Sequence, residues 1–168
     1  MIQLTAKMTS NPVNQCGLIA GALGGENIVL IVLANTLILN RFSSTDMVSS
    51  HFGVNAWIAL YPFLIIALFE GWGIFAAWLG WARFDNRTGA FLAGFITGIL
   101  MGILLEVMWI ARIISMVSHQ FGSYTGFFMG YGGIILTGGT FIVLVIMGGV
   151  LSGFGSYIFY MAKHPETT

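Results

Sequence analysis

The chain has 168 residues, 57% of them apolar and only 7% charged, with six basic residues balancing six acidic ones. A soluble domain carries about 25% charged residues, so this composition excludes one, and zero net charge excludes the basic field that nucleic acid requires. The expected class is an all-α integral membrane protein.

The first sixteen residues, MIQLTAKMTSNPVNQC, lack the continuous apolar stretch of a signal peptide and any lipidation signal, so the first apolar span is expected to direct insertion. Cys16 is the only cysteine, which leaves no intrachain disulfide and no thiolate cluster. A bilayer core of about 30 Å needs about 20 apolar residues per helix, and the first stretch to meet this runs over about 17–39. It carries Glu26, Asn27 and Asn35, and a triplet of glycines four apart, Gly17, Gly21 and Gly25. The polar segment 40–51 follows, and the second span covers about 54–81, with Glu70 and Gly71 inside it and Trp57, Trp78 and Trp81 near its ends. Trp and Tyr favour the headgroup zone, so these aromatics read as anchors.

After the short loop 83–87 the third span runs over about 88–110 and holds Gly94, Gly98, Gly102 and Glu106, with Arg112 beyond it. Residues 119–132 are semi-apolar and Gly-rich, including the triplet Gly122, Gly126 and Gly130. Joined helically to the fourth span, about 133–160, residues 122–160 would make a helix of about 58 Å, too long for one untilted crossing. The expected architecture is therefore a bundle of four transmembrane helices with a short Gly-rich helical or re-entrant element before the last span, broken near Gly132-Gly133. Apolar runs of this length exclude barrel strands of about 9–11 residues. Lys7, Arg83, Arg87 and Lys163 fall on one side and Arg41 and Arg112 on the other, which places both termini in the cytoplasm of a cell-membrane protein.

Glycines four apart form a flat stripe on a helix that lets another backbone approach. Gly17, Gly21, Gly25, Gly94, Gly98, Gly102, Gly149 and Gly153 are the expected packing positions. The first triplet recurs 77 residues later as the second, and the same offset carries Gly71 onto Gly148, which would fit a duplicated hairpin.

Three of the six carboxylates, Glu26, Glu70 and Glu106, lie in the apolar spans, whereas no Lys or Arg lies as deep. An ionisable group at the bilayer centre costs roughly 2.5–3.5 kcal/mol and marks a candidate functional position. Glu26 lies nine residues after Gly17 and Glu70 eleven before Trp81, which puts both about 13–17 Å deep, with Glu106 further toward the outer face. At 100° per residue, Glu26 falls about 140° from Gly21 and Glu106 about 80° from Gly98, away from the Gly stripes. Glu26, Glu70 and Glu106, with neutral oxygens from Asn27 and Asn35, form the expected proton or cation pathway. The histidines, His51, His119 and His164, have no metal-ligand spacing, and no Gly-x-Ser-x-Gly or Gly-x4-Gly-Lys motif occurs.

Two function classes follow. The first is a small polytopic subunit without catalytic activity, cofactor or metal, packing by its Gly faces with other membrane subunits in an energy-converting or transport complex. The second is a homo-oligomeric carrier or channel in which copies of the chain move protons or small cations past the embedded carboxylates.

Overall fold

The structure, a computed structural model, describes residues 11–43, 47–120 and 123–164. They form four helices: α1 (Pro12–Ser43), α2 (Met47–Gly80), α3 (Arg87–Gln120) and α4 (Ser123–Lys163). Among the described residues there is no strand. Each helix contains a stretch long and apolar enough to cross a membrane: Pro12–Ala34, Pro62–Gly80, Arg87–Ala111 and Ile142–Lys163.

Local signals explain where the helices start and stop. Asn11 caps α1: its side-chain oxygen accepts the Val13 N–H at 3.0 Å, and Pro12 occupies the first helical position, where a missing N–H costs nothing. Hydropathy alone begins this span at Gly17, because it does not register the cap. Asn86 does the same for α3, accepting the Gly89 N–H at 2.8 Å. Between α2 and α3 the chain reverses in six residues, with the Arg83 and Phe84 N–H groups both returning to the Gly80 carbonyl, at 2.8 and 3.1 Å. Helix α2 passes through Pro62 without a break in its assignment.

Residues 123–163 form one continuous helix of 41 residues. Among the described residues, the part of the Gly-rich segment from 123 to 132 forms the first turns of α4 itself, without a break at Gly132-Gly133. Glycine lowers helix propensity by about 1 kcal/mol but does not end a helix where no turn chemistry competes. The surroundings of Gly122, Gly126 and Gly130 lie outside the described residues.

The helices pack in the order α1, α3, α4, α2 around the bundle, with α1 also against α2 and α2 also against α3; among the described residues α1 and α4 do not meet. The core has two layers. Near the α2–α3 loop it is built of small side chains, Cys16, Ala20, Ala76, Ala77, Ala90 and Ala93, closed by Phe84 and Tyr160. The start of α1, the loop and the end of α4 therefore meet at one end of the molecule, where the Tyr160 hydroxyl donates to the Phe84 carbonyl at 3.4 Å. Further along, the side chains are larger: Ile28, Val32, Phe69, Met101 and Leu105.

Glycine makes the close crossings possible. A Cβ on Gly17 would lie 2.8 Å from the Ala93 carbonyl oxygen and one on Gly21 would lie 2.7 Å from Leu100 Cδ1, so this face of α1 is filled by α3. On α3, a Cβ on Gly98 would lie 2.7 Å from Gly149 Cα, and one on Gly102 would lie 3.0 Å from Val145 Cα, so the second triplet is filled by α4. Gly149 and Gly153 receive the rings of Phe95 and Phe91. The bare glycine carbonyls are also the acceptors that join helices: Thr97 Oγ1 lies 3.1 Å from the Gly17 carbonyl and 2.9 Å from that of Ala93, and Ser156 donates to the Gly73 carbonyl. The offset that carries Gly71 onto Gly148 does not carry its surroundings: a Cβ on Gly148 would meet Phe69, whereas one on Gly71 would meet nothing within 4 Å.

Candidate functional site: a layer of carboxylates

Contacts between helices set the register of the three embedded carboxylates. Gly17, Gly21 and Gly25 stand against Ile96, Leu100 and Leu104, each pair 79 residues apart, so α1 and α3 run parallel with Asn27 at the level of Glu106. Gly24 stands against Trp72 and Gly80 against Cys16, so α1 and α2 run antiparallel with Glu26 opposite Glu70 in register. At 1.5 Å rise per residue, all three carboxylates fall in one transverse layer about one helical turn thick. Glu106 is thus level with the other two and not a step further out, because Ile96 and not Thr88 stands level with Gly17, so α3 starts about eight residues nearer the loop end of the bundle than loop-to-loop counting implies.

Burial separates them. Glu106 is 1% exposed, while Glu26 and Glu70 are exposed on the outside of α1 and α2. Glu106 is one turn beyond Gly102, and four residues advance a helix by only about 40°, so it lies close to the line of Gly102 on α3. Measuring its angle from Gly98 alone hides this drift. Its Oε2 is buried with no hydrogen-bond partner among the described residues, and its neighbours Leu105 and Met101 belong to the apolar core layer.

Glu26 and Glu70 share a level but are not brought together. Gly24 faces α2 and lies about 160° round the helix from Glu26 at 100° per residue, so Glu26 points away from α2. The backbone of Glu70 is held against α4, where a Cβ on Gly155 would lie 2.6 Å from the Glu70 carbonyl oxygen, and its side chain turns outward. Neither carboxylate has a hydrogen bond or ion pair among the described residues. Asn27 is exposed and donates to the Leu23 carbonyl of its own helix at 3.2 Å, so it offers little to a cation. The side chain of Asn35 lies outside the described residues. No group of three or more His, Cys, Asp or Glu among the described residues is placed to hold a metal.

Reading by charge alone passes over the buried hydroxyls. Thr97, Ser152 and Ser156 are fully buried in the bundle, and Ser152 Oγ has no hydrogen-bond partner among the described residues. The signal was present in the Gly94-x-x-Thr97 and Ser152-x-x-x-Ser156 spacings, since Ser and Thr pack like small residues and also bond across helices.

Beside the layer, the exterior of α2 is open. Ala67, Glu70, Gly71 and Ile74 are exposed at helical spacing, and Ala67 and Gly71 of this stripe also line a groove of about 240 Å³ with Leu68, Trp72 and Phe75. At the loop end, Asn11, Arg83, Asp85 and Asn86 line a wider cleft of about 580 Å³.

Comparison with protein-family models, with curated proteins and with solved structures found no match to this chain.

Proposed function

We propose that the chain is a multi-pass subunit of a larger assembly in the cell membrane, with both termini in the cytoplasm and no catalytic activity of its own. The observation that carries this reading is the pair of carboxylates, Glu26 and Glu70, exposed on the outside of two apolar spans with no partner among the described residues. Facing lipid, each would cost roughly 2.5–3.5 kcal/mol, and together they would offset much of a stability of about 5–15 kcal/mol. Basic residues lie only near or beyond the ends of the spans, at Arg41, Arg83, Arg87, Arg112 and Lys163 among the described residues. A neighbouring chain relieves that cost by covering these faces. The Gly faces of α1 and α3 are taken up by α3 and α4, so the assembly contacts run over the exteriors of α1 and α2. The exposed Leu30, Leu33, Phe63, Ile66 and Ile74 supply the apolar surface around the two carboxylates.

The test is gentle affinity extraction of the wild-type chain and of a chain with both Glu26→Leu and Glu70→Leu. The wild type is expected to carry other polypeptides at fixed ratio, and the double variant to lose them. A wild-type extract holding this chain alone, or only copies of it, would refute the reading.

One observation favours a second reading, a homo-oligomeric proton or cation carrier: the unpartnered Glu106 Oε2 inside the bundle. In that mechanism Glu106 takes up and releases the proton or cation, and Glu26 and Glu70 lie on faces shared between copies. Unchanged flux into vesicles on Glu106→Gln removes it.

A further inference from the structure

We infer that the exterior stripe of α2, Ala67, Glu70, Gly71 and Ile74, is the docking face for one transmembrane helix of a different polypeptide, and that this helix carries a Lys or Arg at the depth of Glu70. The inference rests on the subunit reading above and names the chemistry of the partner.

The geometry is that of a helix seat. The four residues stand at i, i+3, i+4 and i+7, all exposed, and they form one face of α2. Gly71 has no heavy atom within 4 Å of where a Cβ would be, unlike Gly73 and Gly80 on the same helix, which are filled. With Ala67 one turn away, it lets an incoming backbone approach closely, the contact that helix association in lipid depends on. The adjoining groove of about 240 Å³, with Leu68, Trp72 and Phe75 on its wall, is apolar and has room for side chains of the incoming helix. Trp72 and Phe75 are held edge to face at 5.1 Å between ring centres, so this wall is formed before anything docks.

Charge selects the occupant. A second copy brings no base to Glu70. Glu70 lies ten residues, about 15 Å, from the end of its span at Gly80, where Arg83, Arg87 and Lys163 sit, and Arg112, six residues beyond Glu106, stands about 9 Å to the other side of the carboxylate layer. Two copies meeting on this face would set carboxylate against carboxylate. A different chain with a Lys or Arg at that depth pairs with Glu70, and in lipid the two charges are cheaper together than apart. Because the Glu70 backbone is fixed against Gly155 of α4, the carboxylate is presented at a set position along the seat.

A photo-crosslinking amino acid in place of Ile74, irradiated in native membranes and mapped by mass spectrometry, tests this. The expected product joins α2 to a membrane span of another polypeptide, with a Lys or Arg within about one helical turn of the level of Glu70. A product with a second copy, with lipid alone, or with a span lacking a base overturns it. Glu70→Lys is expected to lower the cross-link yield roughly tenfold or more, and exchange of the partner's base for Glu to restore it; an unchanged yield overturns the pairing. Gly71→Leu fills open space and replaces a weak helix former, so the thermal unfolding midpoint of the isolated chain is expected to hold or rise while the complex is lost. If other chains co-extract with the wild type but none cross-links to α2, this seat is refuted and the subunit reading stands; if no other chain is present, both fail.

Discussion

Replacing Gly98 by alanine places a methyl group where α3 and α4 touch backbone to backbone. The new Cβ would fall on the Gly148 carbonyl, nearest its oxygen, and 2.7 Å from Gly149 Cα, against an optimum of about 3.5–4.0 Å between carbons. Backbone cannot rotate aside as a side chain does, so the two helices must part locally by at least about 1 Å. A gap of that size forfeits about a quarter to a half of each pair's attraction, and Gly94 and Gly102, one turn either side, pack against the same helix. The resulting loss is about 1–3 kcal/mol, the usual range for overpacking. Gly71→Ala is the control: the same methyl enters space with nothing within 4 Å, and helix propensity favours alanine by about 1 kcal/mol. Reversible unfolding in mixed micelles, followed by circular dichroism, measures both. If Gly98→Ala is as stable as Gly71→Ala, the close α3–α4 crossing is not what holds the bundle.

Three further outcomes follow from named contacts. Thr97→Val removes the hydroxyl between α3 and the Gly17 carbonyl and should cost about 0.6 kcal/mol, the mean for such bonds in membrane proteins, by the same unfolding measurement. Glu106→Met exchanges a buried carboxylate with an unpartnered oxygen for an apolar chain of similar length; it should raise the unfolding midpoint, since a buried polar group without a partner costs about 1–3 kcal/mol. Asn86→Ala deletes the cap of α3 and should lower stability by about 1 kcal/mol, with Asn86→Asp retaining most of it.

Hydropathy is enough to find four stretches able to cross a membrane, because each is a long apolar run that no turn residue interrupts. The helix ends are not in hydropathy. They depend on Asn11-Pro12 and Asn86, polar residues whose value lies in capping. The continuity of α4 through its Gly-rich first turns is likewise invisible to composition, since glycine is compatible with both a helix and a break. Spacing picks out the glycine triplets but does not say which helix meets each. That choice also decides which carboxylate is enclosed. Depth counting set Glu106 apart as the outlying group, yet it is the enclosed one, 1% exposed inside the bundle. The outward turn of Glu26 follows from its angle relative to Gly21, whereas that of Glu70 depends on Gly155 and Gly73, which no one-helix pattern connects to it.

The central claim is that the exposed carboxylates face another polypeptide. Native mass spectrometry of the assembly, taken from its own membrane into lipid nanodiscs, tests it most directly. The account predicts a discrete mass that contains this 18.2 kDa chain and is not a whole multiple of it, with the excess resolving into other polypeptides on dissociation. A mass equal to one chain, or to any whole number of copies, would contradict it.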